Sequence, residues 1–208
     1  MPTVDESLGS LESARAQTVR LAAPLSQPQL DFSPAAGRWS IGEVLDHLRL
    51  AEALWRREIA ELVRLARAGR RPYLRRTFDD VNVSPFFLPN AILPWLDAPL
   101  TFVNRIMPDA IRNLATEVPF LPTRNPDRAT PWPRRPGAEL RGALLSSLAE
   151  TRALIASNAD LDFGAMVSEH PLTGPTSVPQ ILAFLARHER RHHAQIERVR
   201  ADRRFPSA

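Results

Sequence analysis

Residues 176–200 read TSVPQILAFLARHERRHHAQIERVR, and this stretch decides the fold. Ile181, Leu185, His188, His192, Gln195 and Val199 recur at spacings of 4, 3, 4, 3 and 4. That is the a/d rhythm of a helix packed against other helices. His188 and His192 therefore stand where core residues belong, one above the other on a single face. Two imidazoles buried without partners cost about 1–3 kcal/mol each. A metal ion that takes one nitrogen from each ring removes that cost.

Working outward, the pattern predicts four long helices. The first spans residues 6–23, with Leu8, Leu11, Ala14 and Val19 toward the core. The second spans residues 41–68. It opens with an S-x-x-E capping box, Ser40 to Glu43, and Trp39 is placed as a hydrophobic staple. Its apolar stripe is Val44, Leu45, Leu48, Ala51, Trp55, Ile59, Leu62 and Ala66. The third spans residues 138–158, and the fourth residues 178–202, where Ser177 and Gln180 form a second box and Pro179 sits in the first turn. Residues 70–136 hold twelve of the twenty prolines and show no strand alternation. A shorter helix over residues 99–117, bent at Pro108, and extended chain lying over the bundle are expected there. The expected fold is an all-α four-helix bundle, residues 1–208 forming one domain with an insertion at about 70–136.

Composition narrows the function. With no Cys, disulfides, thiolate nucleophiles and Cys-ligated zinc are excluded. The N-terminal residues lack the basic-then-apolar order of a secretory signal, and no apolar run approaches a membrane span, so a cytoplasmic protein without membrane association is expected. The pI near 10.9 reflects Arg as the sole basic side chain, since net charge is only +4. Arg187, Arg190, Arg191, Arg198, Arg200, Arg203 and Arg204 are interleaved with Glu189, Glu197 and Asp202, which reads as a solvated helix face. Aromatics do not alternate with these arginines, which argues against nucleic-acid binding. Neither Arg190 nor Arg191 is expected to matter for chemistry.

His47 lies three residues after Val44, at the edge of the second helix's stripe. With His188 and His192 it makes three imidazoles from two helices, the way bundles build metal sites. Three neutral nitrogens leave positions open for water or substrate, a catalytic rather than a closed structural pattern. His193 is rotated about 100° from His192 and is expected at the surface or behind the ligands. His170, in the stretch His170-Pro171-Leu172-Thr173-Gly174-Pro175, reads equally as turn structure or as a group at the mouth of the site. Glu43 and Glu169 are candidate acid–base groups beside His47 and His170. The run His188-Glu189-Arg190-Arg191-His192 matches H-E-x-x-H, the zinc-protease motif. The extended form needs Gly and a third His, where this chain has Gln195 and Arg198. A protease is therefore not expected, and Glu189 reads as a solvent-side charge.

These residues resemble the DinB-like superfamily. The resemblance rests on Trp39-Ser40-Ile41-Gly42-Glu43-Val44-Leu45-Asp46-His47-Leu48, on residues 170–175, and on His188-Glu189-Arg190-Arg191-His192-His193-Ala194-Gln195-Ile196, in order and in helix context. It implies a four-helix bundle that forms a dimer, with one divalent metal on His47, His188 and His192. Members include thiol S-transferases using bacillithiol or mycothiol, a maleylpyruvate isomerase and proteins described as metal-dependent hydrolases. The expected cofactor is zinc or nickel, with iron or copper also suited to three imidazoles. The expected partner is a small-molecule substrate, with a low-molecular-weight thiol as an external nucleophile. A bundle that binds metal or a small ligand without turnover, as a sensor or stress protein, is the alternative.

Overall fold

A computed structural model describes residues 2–77, 129–170 and 174–207. The described chain is mostly helical: α1 Val4–Ala22, α2 Gln27–Asp31, α3 Ile41–Arg67, α4 Gly137–Ala156 and α5 Val178–Arg200. Three short strands, β1 Tyr73–Arg75, β2 Val167–His170 and β3 Gly174–Ser177, complete it.

Local signals explain the ends. Thr3 and Glu6 form a capping box that starts α1 at Val4, earlier than the apolar periodicity indicates. Ser40 caps α3 as expected: the Glu43 amide donates to Ser40 Oγ at 3.2 Å, and the Ser40 amide to Glu43 Oε2 at 2.9 Å. At the other end Gly69 takes φ +65°. Its amide bonds Ala66 O and the Arg70 amide bonds Leu65 O, a Schellman stop that only a left-handed residue completes easily. The short α2 follows the same logic, with Gln29 Oε1 accepting from the Ser26 amide at 2.9 Å and Pro28 in its first turn.

The chain divides into two compact units. One comprises residues through Arg57, Ala129–Ala159 and the chain from Pro179. Its core joins Ala22, Leu30, Ile41, Val44, Leu45, Leu48, Leu140, Leu144, Ile196 and Val199, with Trp39 and Phe205 among the side chains packed against it. These positions come from α1 to α5, so the helical stripes read in the sequence converge here. The seam of α5 is as expected: Ile181, Leu185, His192 and Val199 are buried.

The other unit comprises Glu58–Arg128 and Asp160–Val178. Its sheet has the order β1-β2-β3, with β1 parallel to β2 and β2 antiparallel to β3. This sheet departs from the all-α expectation. A strand of three residues is too short for alternation to show, and β1 forms by pairing with β2, far away in sequence. The stretch around His170 is likewise not a simple turn: Glu169 pairs with Pro175, and His170 with Gly174, which takes φ +70°. The expected helix at 99–117 and most of the 70–136 insertion lie outside the described residues.

Candidate metal centre

His47 is on the second turn of α3, and His188 and His192 are on consecutive turns of α5. One ring nitrogen from each lies within 4.8 Å of the other two. His188 Nε2 is 3.3 Å from His47 Nε2 and 3.1 Å from His192 Nε2. His47 and His192 are buried, while His188 keeps some exposure.

The other ring nitrogens are already engaged. His47 Nδ1 is 2.9 Å from the Ala129 carbonyl, and His192 Nδ1 is 2.8 Å from Gln195 Oε1. Both partners accept, so both rings carry their proton on Nδ1 and turn the Nε2 lone pair inward. Two lone pairs then face the third imidazole, and a proton on His188 Nε2 can serve only one of them at a time. A cation serves all three. Tetrahedral zinc with nitrogen at about 2.0–2.1 Å spaces its ligands about 3.3 Å apart, which matches the two short separations. The residues present therefore fit a divalent ion.

The electrostatics favour neutral, ligand-ready rings. Burial lowers the His47 pKa, with the nearby Arg191 charge adding to it and the Ala129 hydrogen bond opposing it. Burial and then the charges of His192 and His47 push His188 well down. Burial, with His47 next, takes His192 to about 3. The sign follows: unfolded rings bind protons below about 6.5 while the folded rings do not, so stability falls as pH drops from there toward the folded values. His192 alone is expected to remove about 3 kcal/mol between pH 6.5 and pH 4 in metal-free protein. Urea denaturation against pH measures this; a flat profile over that interval contradicts the neutral, buried placement.

Aromatic side chains pack against the rings. Trp39 lies 4.8 Å from the His47 ring and 6.5 Å from that of His192. Phe184 stacks on His188 at 5.8 Å, and Trp55 meets Phe184 edge-on at 5.7 Å.

Asp46, given no role of its own in the sequence reading, supports the centre from behind. It is fully buried, and it accepts from the Trp132 amide at 3.0 Å, from Arg49 at 2.8 Å and from Arg135 at 2.5 Å. The carboxylate thereby ties residues 132–135 to α3, next to the Ala129 carbonyl that sets the His47 tautomer. Loss of such supporting groups costs about 10–100-fold in metal affinity. Asp46→Ala is expected to weaken zinc binding by that factor in a chelator competition titration; unchanged affinity contradicts the role. The signal was present in the sequence as a charge inside the buried first turns of α3.

Glu189 corrects an expectation. It is not a solvent-side charge but is buried at 1% exposure. Arg15, equally buried, bonds it through Nε at 2.8 Å and bonds Glu52 through Nη2 at 2.9 Å. Arg15 also donates to the Leu144 carbonyl. Thr18 donates to Glu189 at 2.6 Å, and Thr151 to Glu52 at 2.7 Å. His193 faces this network through Thr18 Oγ1 at 2.8 Å, behind the ligands. Side chains of α1, α3 and α5 thus meet in a polar core that anchors α5 on the face adjacent to the histidines.

The remaining candidates have partners of their own. Glu43 Oε2 is engaged in the α3 cap. Glu169 is buried in the second unit, where the Tyr73 hydroxyl donates to it, and His170 ends β2 there. Arg190 bonds Ser10 Oγ at 2.6 Å. Arg191, by contrast, acts electrostatically on all three centre histidines.

The family model described as the DinB superfamily matches residues 10–196. No curated protein and no solved structure matches the chain. The matched span includes every residue of the three-histidine cluster, its Asp46 and Gln195 supports, and the Arg15 network, and the chain belongs to the DinB superfamily.

Proposed function

We propose that the protein is a divalent-metal enzyme of the thiol S-transferase or hydrolase type, with His47, His188 and His192 as ligands. The observation that carries this is the convergence of three Nε2 atoms whose partner nitrogens are held by acceptors. Zinc or nickel suits the donor set first, and iron or copper after them. A bound ion at such a site lowers the pKa of a water or thiol, or polarises a carbonyl.

The chain's own residues do the rest. Ala129 and Gln195 fix the tautomers, Asp46 fixes the segment behind His47, and Trp39 and Phe184 pack against the rings. A chain without Cys takes any thiol nucleophile from outside, which fits a low-molecular-weight thiol cosubstrate. We further propose that the four long helices form the family's bundle, as one domain and as a cytoplasmic homodimer without membrane or nucleic-acid partners. His170, Glu43 and Glu169 remain candidates for proton transfer. The alternative is a metal- or ligand-binding bundle without turnover, favoured by the burial of two of the three ligands.

The test is turnover of a panel of electrophiles with small thiols, before and after chelation. Metal-dependent turnover that returns on adding the divalent ion supports the enzyme. Turnover that persists without metal contradicts the mechanism, and full metal occupancy with no turnover favours the binding-only alternative.

A further inference from the structure

Trp39 belongs to two features of the helical unit at once. Its ring lies 4.8 Å from the His47 ring, and 6.5 Å from that of His192 with the two planes 23° apart. It also lines a cavity of about 540 Å³, formed with Ser33, Pro34, Ala36, Arg38, Glu43 and Arg204. That volume is in the range that holds a small molecule. The loop around the cavity is braced. Gly37 turns it at φ +72°, with no atom within 4 Å of where a Cβ would sit. Ser33 Oγ donates to the Ala35 carbonyl at 2.8 Å, and Arg204, paired with Asp202 at 2.8 Å, donates to the Pro34 carbonyl. His47 and His192 are buried, whereas Trp39 is half-buried and residues 35–38 beside it are exposed. The indole is thus the side chain that the open cavity and the buried imidazoles share. It precedes the Ser40 cap, outside the helical turns that restrict side-chain rotamers.

We propose, resting on the metal reading above, that this cavity is the entrance by which small molecules reach the ion, with the Trp39 indole as the partition between them. Packed against His47, the indole separates the cavity from the imidazoles. Turned to another rotamer, it opens the cavity onto them, as a lid does over an active site. Trp39 then has a task beyond stapling the start of α3: it sets how fast a small molecule meets the metal. The competing entrance is beside His188, which keeps some exposure and carries Phe184 stacked on its ring. The two routes predict different sensitive residues, Trp39 and Ala36 for the cavity and Phe184 for the other.

The test follows removal of zinc from the zinc-loaded full-length protein by pyridylazoresorcinol at several chelator concentrations, with zinc content measured in every variant first. The slope of rate against chelator concentration reports access to the bound ion. The intercept reports spontaneous release, which a merely structural loss of packing would raise. Trp39→Ala is expected to steepen the slope at least about tenfold, and Trp39→Phe, which keeps a ring against the core, should fall between. Ala36→Trp fills the cavity from an exposed position and leaves Trp39 in place. It is expected to flatten the slope at least about threefold with the intercept unchanged. An unchanged slope in Ala36→Trp overturns the proposal even if Trp39→Ala does not fold. So do Trp39 variants that raise only the intercept, or a Phe184→Ala slope steeper than that of Trp39→Ala. Failure of the wild type to hold zinc overturns the metal reading itself.

Discussion

Arg15→Ala is expected to destabilise the protein by about 3–5 kcal/mol, the cost of leaving buried carboxylates without their cation. Glu52 and Glu189 are each about 1% exposed, and both depend on this one guanidinium. Their remaining partners, the hydroxyls of Thr151 and Thr18, supply hydrogen bonds but no charge. Removing the cation leaves two like charges facing each other across a dry core. Removing all three charges is a different case. The triple replacement Arg15→Met, Glu52→Gln, Glu189→Gln is expected to recover most of the loss, because an uncharged core of similar volume has no ion to desolvate. Urea denaturation of the two variants measures both. A single-variant loss below about 1 kcal/mol would mean that the network is solvated and does not lock α5.

His188→Ala is expected to weaken metal binding by more than about 100-fold, since losing a supporting group alone costs about 10–100-fold. His47→Ala and His192→Ala should do the same, while His193→Ala, whose ring faces Thr18, should retain the ion. These variants should stay folded. In metal-free protein His188 Nε2, 3.3 Å from His47 Nε2 and 3.1 Å from His192 Nε2, can donate to only one of them, so deleting one ring removes at most one hydrogen bond. Circular dichroism therefore separates loss of ligand from loss of fold: the helix signal should persist while the metal is lost.

The three clustered histidines were legible because they broke a pattern. His188 and His192 occupy seam positions of α5 where apolar residues belong, and His47 lies at the edge of the α3 stripe. The long helices were legible for the same reason, with the start of α3 marked by Ser40 and Glu43. What the sequence hid was pairing across distance. Arg15 also occupies a seam, following Leu11 by four and preceding Thr18 by three, but its carboxylates come from helices far along the chain. Read locally, Glu189 looks like one more alternating charge. The Ala129 carbonyl is invisible as well, because a backbone acceptor leaves no trace in residue type. The small sheet was missed because β1 is only Tyr73–Arg75 and its partner is β2 at Val167–His170. The rule that alternating charge means solvent held for Arg190, which bonds Ser10 at an exposed position, and failed for Glu189, the residue just before it.

The central claim is that three imidazoles converge to hold one divalent ion, and the most direct measurement is metal content per chain in protein purified without a histidine tag. The expected result is one ion per chain in the wild type, lost on replacing His47, His188 or His192 and kept in His193→Ala. A wild type that binds no divalent ion after loading, or a His188→Ala variant that keeps full occupancy, would contradict the account.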